Sequence, residues 1–217
     1  MKHRLMVSTI ICSVLIPLGN AHSELDTFHL VSDAELLAII SDTLFVSEGR
    51  IGDRGASATF ELALGGSTAD PDQTAQYDWQ NGAVEPFTIT YNDSTSLVTF
   101  SLGGITLSYT TPYFDFEAVV IRTRAVNDGS SIVVDDVVLE GETVYDQSSS
   151  AGPNGLDILV ISGADINDGM VMTGNATLSW TGDPPSQSRL AFQVKVAKLS
   201  VVEAEHSSWG TIKALER

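Results

Sequence analysis

Apolar and polar residues alternate along most of the chain from about residue 44 onward. Within FTITY, Phe87, Ile89 and Tyr91 fall on one side of an extended backbone and the two threonines fall on the other. A period of two is typical of β-strands, because successive side chains point to opposite faces. Further runs that predict strands are ATFELALG, VTFSL, ITLSY, AVVIRTRAV, SIVVDDVVLEG, LDILVISG, GMVMTGNATLSW and RLAFQVKV.

Clusters of Gly, Pro, Asn and Asp separate the predicted strands, among them GGSTADPDQ, SSSAGPNG and TGDPPSQS. Gly103 and Gly104, between VTFSL and ITLSY, indicate a hairpin turn. Many short strands joined by such turns indicate an all-β fold, either an antiparallel sandwich or a barrel. We favour a two-sheet β-sandwich of jelly-roll type. No stretch resembles a linker, so one domain is predicted over residues 42–202.

Two short helices are predicted to flank the sandwich. In SDAELLAII, Ser32 can cap a helix and Glu35 completes a capping box, although so short an apolar run also suits a strand. The last eleven residues, SSWGTIKALER, offer Ser207 or Ser208 as a second cap. This second helix is too short to be stable in isolation.

Residues 1–21 have the pattern of a secretory signal peptide. The basic start MKHR precedes the uncharged run LMVSTIICSVLIPLG, and GNA supplies small residues before a cleavage position ahead of His22. A transmembrane anchor is the alternative, but the run is shorter than the roughly 20 residues that a spanning helix needs. Cleavage leaves 22–41 as an N-terminal segment with the first helix. It also removes Cys12, the single cysteine, so stability is expected to come from the core.

The chain is strongly acidic, with 11 Lys and Arg against 28 Asp and Glu and a formal net charge of −17. Such a charge repels nucleic acid and anionic lipid headgroups. We therefore expect no nucleic-acid partner. Since no run after the signal peptide is long and apolar enough to cross a bilayer, we also expect no transmembrane segment once the signal is removed.

Several segments, in order, resemble the choice-of-anchor W family of bacterial exported proteins: ATFELALG, DQTAQYDWQNGAVEPFTITYN, VTFSLGG, FEAVVIRTRA, ATLSWTG and PSQSRLAFQVKV. The resemblance covers roughly residues 43–197. It implies a secreted domain that different proteins join to different C-terminal sorting or anchoring segments, of which the PEP-CTERM signal is one. It implies no activity and no catalytic residues.

Residues 203–217 depart from the anchored members of that family, because they contain no Pro-Glu-Pro motif and no apolar spanning helix. An acidic spacer with two glutamates leads into the final helix, which occupies the position of an anchor. We interpret this tail as a sorting tag carried by Trp209, Gly210, Ile212 and Lys213. The alternative is a helix that packs on the sandwich with Trp209 in the core.

Nucleophilic and zinc-dependent catalysis find little support in the sequence. No G-x-S-x-G elbow is present, and beyond the signal peptide the histidines are limited to His22, His29 and His206, which we expect outside the sandwich. Paired carboxylates of a glycoside hydrolase remain a formal alternative. The candidates are Glu61, Glu117, Asp135 and Asp136, for which solvated strand faces are the simpler explanation. We predict that the protein is not an enzyme.

Calcium is the candidate cofactor. The turn DINDG offers Asp165, Asn167 and Asp168, and VNDGS and ADPD offer similar groups. Calcium takes hard oxygen ligands from flexible loops. Asn-Asp-Gly is equally what a tight turn requires, so the turn interpretation stays open.

Carbohydrate binding would use aromatic residues at the ends of strands. Tyr77 and Trp79 have polar neighbours suited to sugar hydroxyls, and Tyr113 lies in the aromatic segment TPYFDF. The alternative is that such aromatic side chains fill the core. Arg122 and Arg124 alternate with apolar residues and could bind an anionic ligand, but salt bridges to the abundant carboxylates are the simpler explanation.

Together these observations predict a secreted bacterial protein that is extracellular or associated with the cell surface, with the periplasm as a further option. We expect a non-catalytic structural or interaction module. Its partner would be a protein or polysaccharide of the cell surface or matrix, and self-association is a further expectation. The alternatives are a carbohydrate-binding module stabilised by calcium and, behind it, a glycan-active hydrolase.

Overall fold

The structure, a computed structural model, describes residues 25–52, 60–67, 69–112, 116–163, 166 and 169–200. Its elements in chain order are β1 Asp26–Leu30, α1 Asp33–Ile39, β2 Ile40–Arg50, β3 Leu62–Gly65, β4 Gln73–Ala75, β5 Val84–Asn92, β6 Leu97–Leu102, β7 Ile105–Thr110, β8 Ala118–Ala125, β9 Ser131–Leu139, β10 Glu142–Thr143, β11 Ser148–Ala151, β12 Gly155–Ser162, β13 Met170–Ser179 and β14 Leu190–Leu199.

The strands form two antiparallel sheets of seven strands each, which confirms the predicted all-β sandwich. Sheet A has the order β1-β12-β8-β14-β2-β3-β4. Sheet B has the order β10-β9-β13-β5-β6-β7, and β11 also pairs with β9. After β7 the chain crosses repeatedly between the sheets, so strands distant in sequence become neighbours. The central positions of β8 and β14 in sheet A follow from these crossings.

The core lies between the sheets and is filled by the side chains that alternate inward. Sheet A contributes Phe45, Ile121 and Phe192, all fully buried, and sheet B contributes residues such as Phe100 and Ile132. Gly49 provides the space for one of these rings, since a Cβ atom at that position would lie 2.3 Å from Cε1 of Phe192. The period of two identifies the buried side of strands such as β6 and β13, whereas β3 and the middle of β12 are buried on both sides.

Helix α1 lies on the outer face of sheet A. As predicted, the Ser32 hydroxyl accepts a hydrogen bond from the backbone N–H of Glu35, at 3.2 Å. The Glu35 carboxylate accepts from the N–H of Val31 at 2.8 Å, one residue before the cap. Leu36 is buried against β8 and β12, where it forms a second, smaller apolar cluster. This cluster holds α1 against the outer face of sheet A, next to the polar side chains of β8 and β14.

Strand β1 pairs with β12, so sheet A begins before residue 42, where the alternating pattern places the start of the sandwich. His29, expected outside the sandwich, lies in β1, and its Nδ1 atom is 2.8 Å from Oδ1 of Asp157 on β12. The expectation for His29 is therefore wrong. The pattern missed β1 because only its pairing with β12, and no apolar run of its own, makes it a strand.

The outer face of sheet B consists mainly of hydroxyl and small apolar side chains. One row across four strands joins Thr173, Thr88, Ser101 and Thr106 in register. Hydroxyls of neighbouring strands bond to each other: Ser101 and Thr106 are 2.8 Å apart, and the next row contains a similar pair at 2.6 Å. Cross-strand hydroxyl pairs of this kind stabilise antiparallel sheets.

The hairpin between β6 and β7 turns at Gly103 and Gly104, as predicted, with φ of +57° and +80°. Two successive positive φ values are the requirement of a tight two-residue turn. Within the described part of the chain, no helix is long and apolar enough to cross a membrane.

Candidate functional site

Most of the positive charge of the described residues lies on one face. Six Lys and Arg side chains belong to this part of the chain, and four of them are on the outer face of sheet A. The four are Arg50 on β2, Arg122 and Arg124 on β8, and Lys195 on β14. In a chain with a net charge of −17, this concentration of cations is the main electrostatic feature of the face.

The register of three adjacent strands brings these side chains together. Arg122 on β8, Gln193 on β14 and Glu48 on β2 form one row across the sheet. Arg124 lies in the row on one side and Lys195 in the row on the other. Rows on one face are about 7 Å apart along a strand, so the long side chains share one region.

The outer face of sheet A and helix α1 enclose an open depression of about 370 Å³. Its lining combines cations, an amide, a hydroxyl, a carboxylate and apolar groups: Asp33, Leu36, Leu37, Ile40, Thr43, Arg122, Arg124, Gln193 and Lys195. We call this feature the cationic depression. Helix α1 forms its apolar wall, and β8 and β14 form its charged floor.

One cation of the depression already holds a carboxylate. Arg122 donates from Nε and Nη2 to the two carboxylate oxygens of Asp33, at 2.7 and 2.8 Å. This is the bidentate geometry in which a guanidinium binds a carboxylate most strongly. The hydrogen bond from Arg122 lowers the pKa of Asp33 below its ordinary value, so the pair persists into acidic conditions.

The other two cations of the depression lack such a partner. Neither Arg124 nor Lys195 forms an ion pair or a hydrogen bond with another described residue. Arg124 is exposed, whereas Lys195 is half-buried. Burial lowers the pKa of Lys195, and the nearby charge of Arg122 lowers it further. The carboxylates of Asp33 and Glu48 act in the opposite direction, but burial and Arg122 dominate, so a further anion in the depression would favour the charged ammonium group.

Glu48 lies beside the depression, almost completely buried at 4% exposure. Its Oε1 atom accepts a hydrogen bond from the Gln193 amide at 3.3 Å, and its Oε2 atom has no hydrogen-bond partner. Burial raises the pKa of this carboxyl above its ordinary value despite the neighbouring cations. Sequence reasoning missed Glu48, Gln193 and Lys195, because only the register of distant strands brings them to Arg122.

Trp79, predicted as an exposed sugar-binding residue, is only 7% exposed, so the expectation of an open ring is wrong, although an edge of this residue lines a small pocket beside Tyr77. Its indole N–H donates to the backbone carbonyl of Arg50 at 2.9 Å. Its ring packs edge to face against Tyr77 and Phe192, with centroids 4.9 and 6.4 Å apart. A large ring with a satisfied N–H fills the end of the core, as the alternative interpretation expects.

Tyr77 is partly exposed and lines a smaller pocket of about 130 Å³ with Trp180, Asp78 and Glu61. Burial and a hydrogen bond to the Glu85 carboxylate raise the pKa of Tyr77 to about 12. Glu61 accepts a hydrogen bond from the N–H of Gly52 through Oε1, while Oε2 is buried without a partner. We call this feature the Tyr77 pocket.

The four carboxylates considered for glycoside hydrolysis do not form facing pairs. Glu61 and Glu117 lie at opposite ends of sheet A, and Glu117 accepts the N–H of Leu199 at 2.8 Å. Asp135 and Asp136 lie on β9 of sheet B. Burial, followed by the charge of Asp136, raises the pKa of Asp135. The residues are therefore distributed over both sheets.

The calcium candidates Asp165, Asn167 and Asp168 lie outside the described residues. So do the ligand candidate Tyr113 and the tail residues Trp209, Gly210, Ile212 and Lys213, and these assignments remain predictions. Within the described ranges no group of three or more His, Cys, Asp or Glu side chains could hold a metal ion.

The segment VNDGS serves as a turn. Ser130 donates to the Asn127 carbonyl through its N–H at 3.2 Å and its hydroxyl at 2.6 Å, and the Asp128 carboxylate accepts from Gly129. The local bonds of a turn therefore account for these polar groups.

Comparison of the chain with protein-family models and with curated proteins found no match. The resemblance to the choice-of-anchor W family therefore depends on the sequence segments alone.

Proposed function

We propose that the protein is an exported bacterial interaction module that binds an anionic component of the cell surface or extracellular matrix and catalyses no reaction. The observation that carries this proposal is the cationic depression, in which neither Arg124 nor Lys195 forms a hydrogen bond or an ion pair with a described carboxylate. The resemblance of residues 43–197 to secreted domains supports an extracellular location.

In so acidic a chain, most surface cations are expected to bond to a carboxylate, so the absence of such a bond at Arg124 and Lys195 within the described part of the chain points to a role in binding a ligand. With 28 Asp and Glu in the chain, a surface cation has many carboxylates available as partners. Arg122 and Asp33 show that such pairing occurs on this same face. Burial and the charge of Arg122 disfavour the charged form of the half-buried Lys195, and the nearby carboxylates of Asp33 and Glu48 offset this only in part. A ligand that supplies the counterion would compensate for this cost.

The proposal is tested by retention on a fraction of cell envelope and matrix isolated from a bacterium that secretes the protein. The intact protein is expected to sediment with this fraction at low salt and to be released as sodium chloride rises, because salt screens charge pairs. The double variant Arg124→Gln, Lys195→Gln is expected to remain in the supernatant.

The matched control for retention is Arg189→Gln, which removes one positive charge outside the depression. This variant is expected to sediment like the intact protein. If the intact protein stays in the supernatant at every salt concentration, the proposed function is wrong. The same conclusion follows if the double variant is retained as well as the intact protein.

A second candidate function is binding of neutral carbohydrate at the Tyr77 pocket. The observation that favours it is the combination of two aromatic rings, Tyr77 and Trp180, with Asp78 and Glu61 around one opening. Aromatic faces with a few polar groups suit a sugar ring. This candidate predicts quenching of tryptophan fluorescence by neutral oligosaccharides, an effect that Trp180→Phe should remove.

Calcium belongs to this second candidate as a stabilising ion. If Asp165, Asn167 and Asp168 bind it, the thermal midpoint of unfolding should rise with added calcium chloride and fall again with a chelator. Magnesium at the same concentration is the control, since calcium prefers larger and more flexible oxygen sites. An unchanged midpoint would remove calcium from this candidate function.

A further inference from the structure

We infer that the cationic depression binds the carboxylate of an acidic saccharide, with Arg124 and Lys195 as the binding cations. This inference rests on the proposed function and names the chemical class of its ligand. It concerns the outer face of sheet A, which is separate from the Tyr77 pocket considered for neutral sugars.

The charge of the site selects an anion. Arg124 is exposed and unpaired at one side of the depression, and Lys195 is half-buried at the other. Arg122 between them is partly neutralised by Asp33. A ligand carboxylate would therefore meet a cation that forms no hydrogen bond or ion pair with a described carboxylate at either side of the depression. Such charge-assisted hydrogen bonds are among the strongest that a protein can offer to a ligand.

A carboxylate already occupies part of the depression in the folded chain. Asp33, carried on helix α1, meets the Arg122 guanidinium with both oxygens. This pair shows that the space between α1 and β8 accommodates a carboxylate in bidentate geometry. A ligand carboxylate at the neighbouring Arg124 could adopt the same arrangement without displacing Asp33.

The uncharged lining of the depression suits a sugar ring. Gln193 presents an amide and Thr43 presents a hydroxyl, groups that bond to sugar hydroxyls. Leu37 on α1 is 72% exposed and offers an apolar surface to the C–H face of a ring. A volume of about 370 Å³ falls in the range of small-ligand sites, which is roughly 300–1,000 Å³.

The net charge of the chain restricts the ligand to one with separated charges. A polyanion of high charge density, such as nucleic acid, would meet three cations in the depression, one of them paired with Asp33, and a net charge of −17 on the chain. A saccharide that carries one carboxylate per sugar can place a single group in the depression. Its hydroxyls would then contact the polar lining.

The test is isothermal titration calorimetry of the full chain with trigalacturonate, at low and at physiological salt. Maltotriose is the neutral comparison, and sodium sulfate is the comparison for a bare anion. The variants are Arg124→Gln and Lys195→Gln, each of which removes one charge with little change in volume. The control is Arg189→Gln, which removes a charge outside the depression.

We expect trigalacturonate to bind and maltotriose to give no heat of binding. Each depression variant should weaken binding about tenfold or more, and Arg189→Gln less than about twofold, as the loss of one charge-assisted bond predicts. Because Arg124 is exposed, its replacement should leave the fold intact, which circular dichroism would verify. If Lys195→Gln disturbs folding, the loss of affinity in Arg124→Gln still tests the inference by itself.

Four results would overturn the inference: no binding of trigalacturonate, equal affinity for maltotriose, equal affinity for sulfate, or equal loss in Arg189→Gln. A rise in mass with protein concentration that depends on Arg124 would indicate a second acidic copy as the occupant and would also overturn it. Retention on the envelope fraction without trigalacturonate binding would refute the ligand class alone. Absence of both envelope retention and trigalacturonate binding would refute the proposed function.

Discussion

Glu48 places a carboxyl group on the outer face of sheet A with almost no contact with water. One oxygen accepts from the Gln193 amide and the other has no partner. Since burial raises the pKa of Glu48, the native state binds a proton more readily than the unfolded chain does. The residue therefore lowers stability increasingly as the pH rises above the ordinary carboxyl range.

The variant Glu48→Gln is predicted to be more stable than the original protein at pH 7, by about 1 kcal/mol, because no charge is then buried. Between the ordinary pKa of 4.5 and the raised native value, the original protein loses stability with rising pH and the variant does not. Urea unfolding from pH 4 to pH 8 checks this. The two proteins should nearly coincide at pH 4, and a constant difference at all pH values would contradict the prediction.

Trp79 contributes through its indole N–H as well as through its ring, which contacts Tyr77 and Phe192. Trp79→Phe is predicted to lower the free energy of unfolding by about 1–2 kcal/mol, because the Arg50 carbonyl loses its donor in a buried place. The matched control is Trp180→Phe, in a half-buried position, with an expected loss under about 1 kcal/mol. Equal losses in urea unfolding would show that the hydrogen bond is unimportant.

The burial of Trp79 also shows where prediction from sequence stops at the level of a residue. The alternation of apolar and polar residues predicts that Phe87, Ile89 and Tyr91 lie on the core side of β5. All three are buried in the structure. The segment QYDWQNG follows β4 without a regular period, so no pattern says which way its rings point. The direction of the Trp79 ring depends on contacts with residues distant in sequence, the Arg50 carbonyl and the Phe192 ring.

At the level of elements, helix α1 acts as one wall of the cationic depression. Its start at Asp33 follows from the Ser32 cap, which the sequence predicts. Its position depends on Leu36, which packs against β8 and β12. Because Asp33 stands in the first turn, the cap also places a carboxylate over Arg122. A local signal in the sequence thus determines part of a site built from distant strands.

The variant Asp33→Asn is predicted to tighten the binding of trigalacturonate, by up to about tenfold, because it releases Arg122 and removes a competing carboxylate. Its effect on unfolding should be under about 1 kcal/mol, since the Asp33 side chain is 53% exposed. This small contribution is present above the ordinary carboxyl pKa and is lost as the pH falls through the lowered native value.

The control for Asp33→Asn is Asp93→Asn, which makes the same charge change in the turn between β5 and β6 of sheet B. Titration of both variants with trigalacturonate separates a local effect from a general one. If the two variants tighten binding equally, the reduced net charge is the cause and Arg122 plays no part.

The positions of most strands along the chain were predictable from the sequence, but the order of the strands in each sheet was not. The period of two locates β5, β6, β8, β13 and β14 and their buried sides. It carries no information on the order of strands in a sheet. The row of Arg122, Gln193 and Glu48 exists only because β14 lies between β8 and β2. The fold class therefore follows from local patterns, whereas the site follows from long-range register.

At the scale of the whole molecule, deletion of residues 207–217 tests whether this tail determines where the protein goes or contributes to its folding. Its deletion is predicted to shift the protein from the cell-surface fraction to the medium without changing the free energy of unfolding, if the tail is a sorting tag. Quantitative immunoblots of both fractions and urea unfolding measure the two effects. An unchanged location with a loss of about 3 kcal/mol or more would instead place Trp209 in the core.

Four of the six cations among the described residues lie on the outer face of sheet A, in a chain whose net charge is −17, so this face is a positively charged region of an acidic protein. Near a negatively charged cell wall, the field exerts a torque that turns this face inward even while the net charge slows the approach. The protein would then settle in one orientation. The hydroxyl rows of sheet B would become the outermost layer of the coated cell.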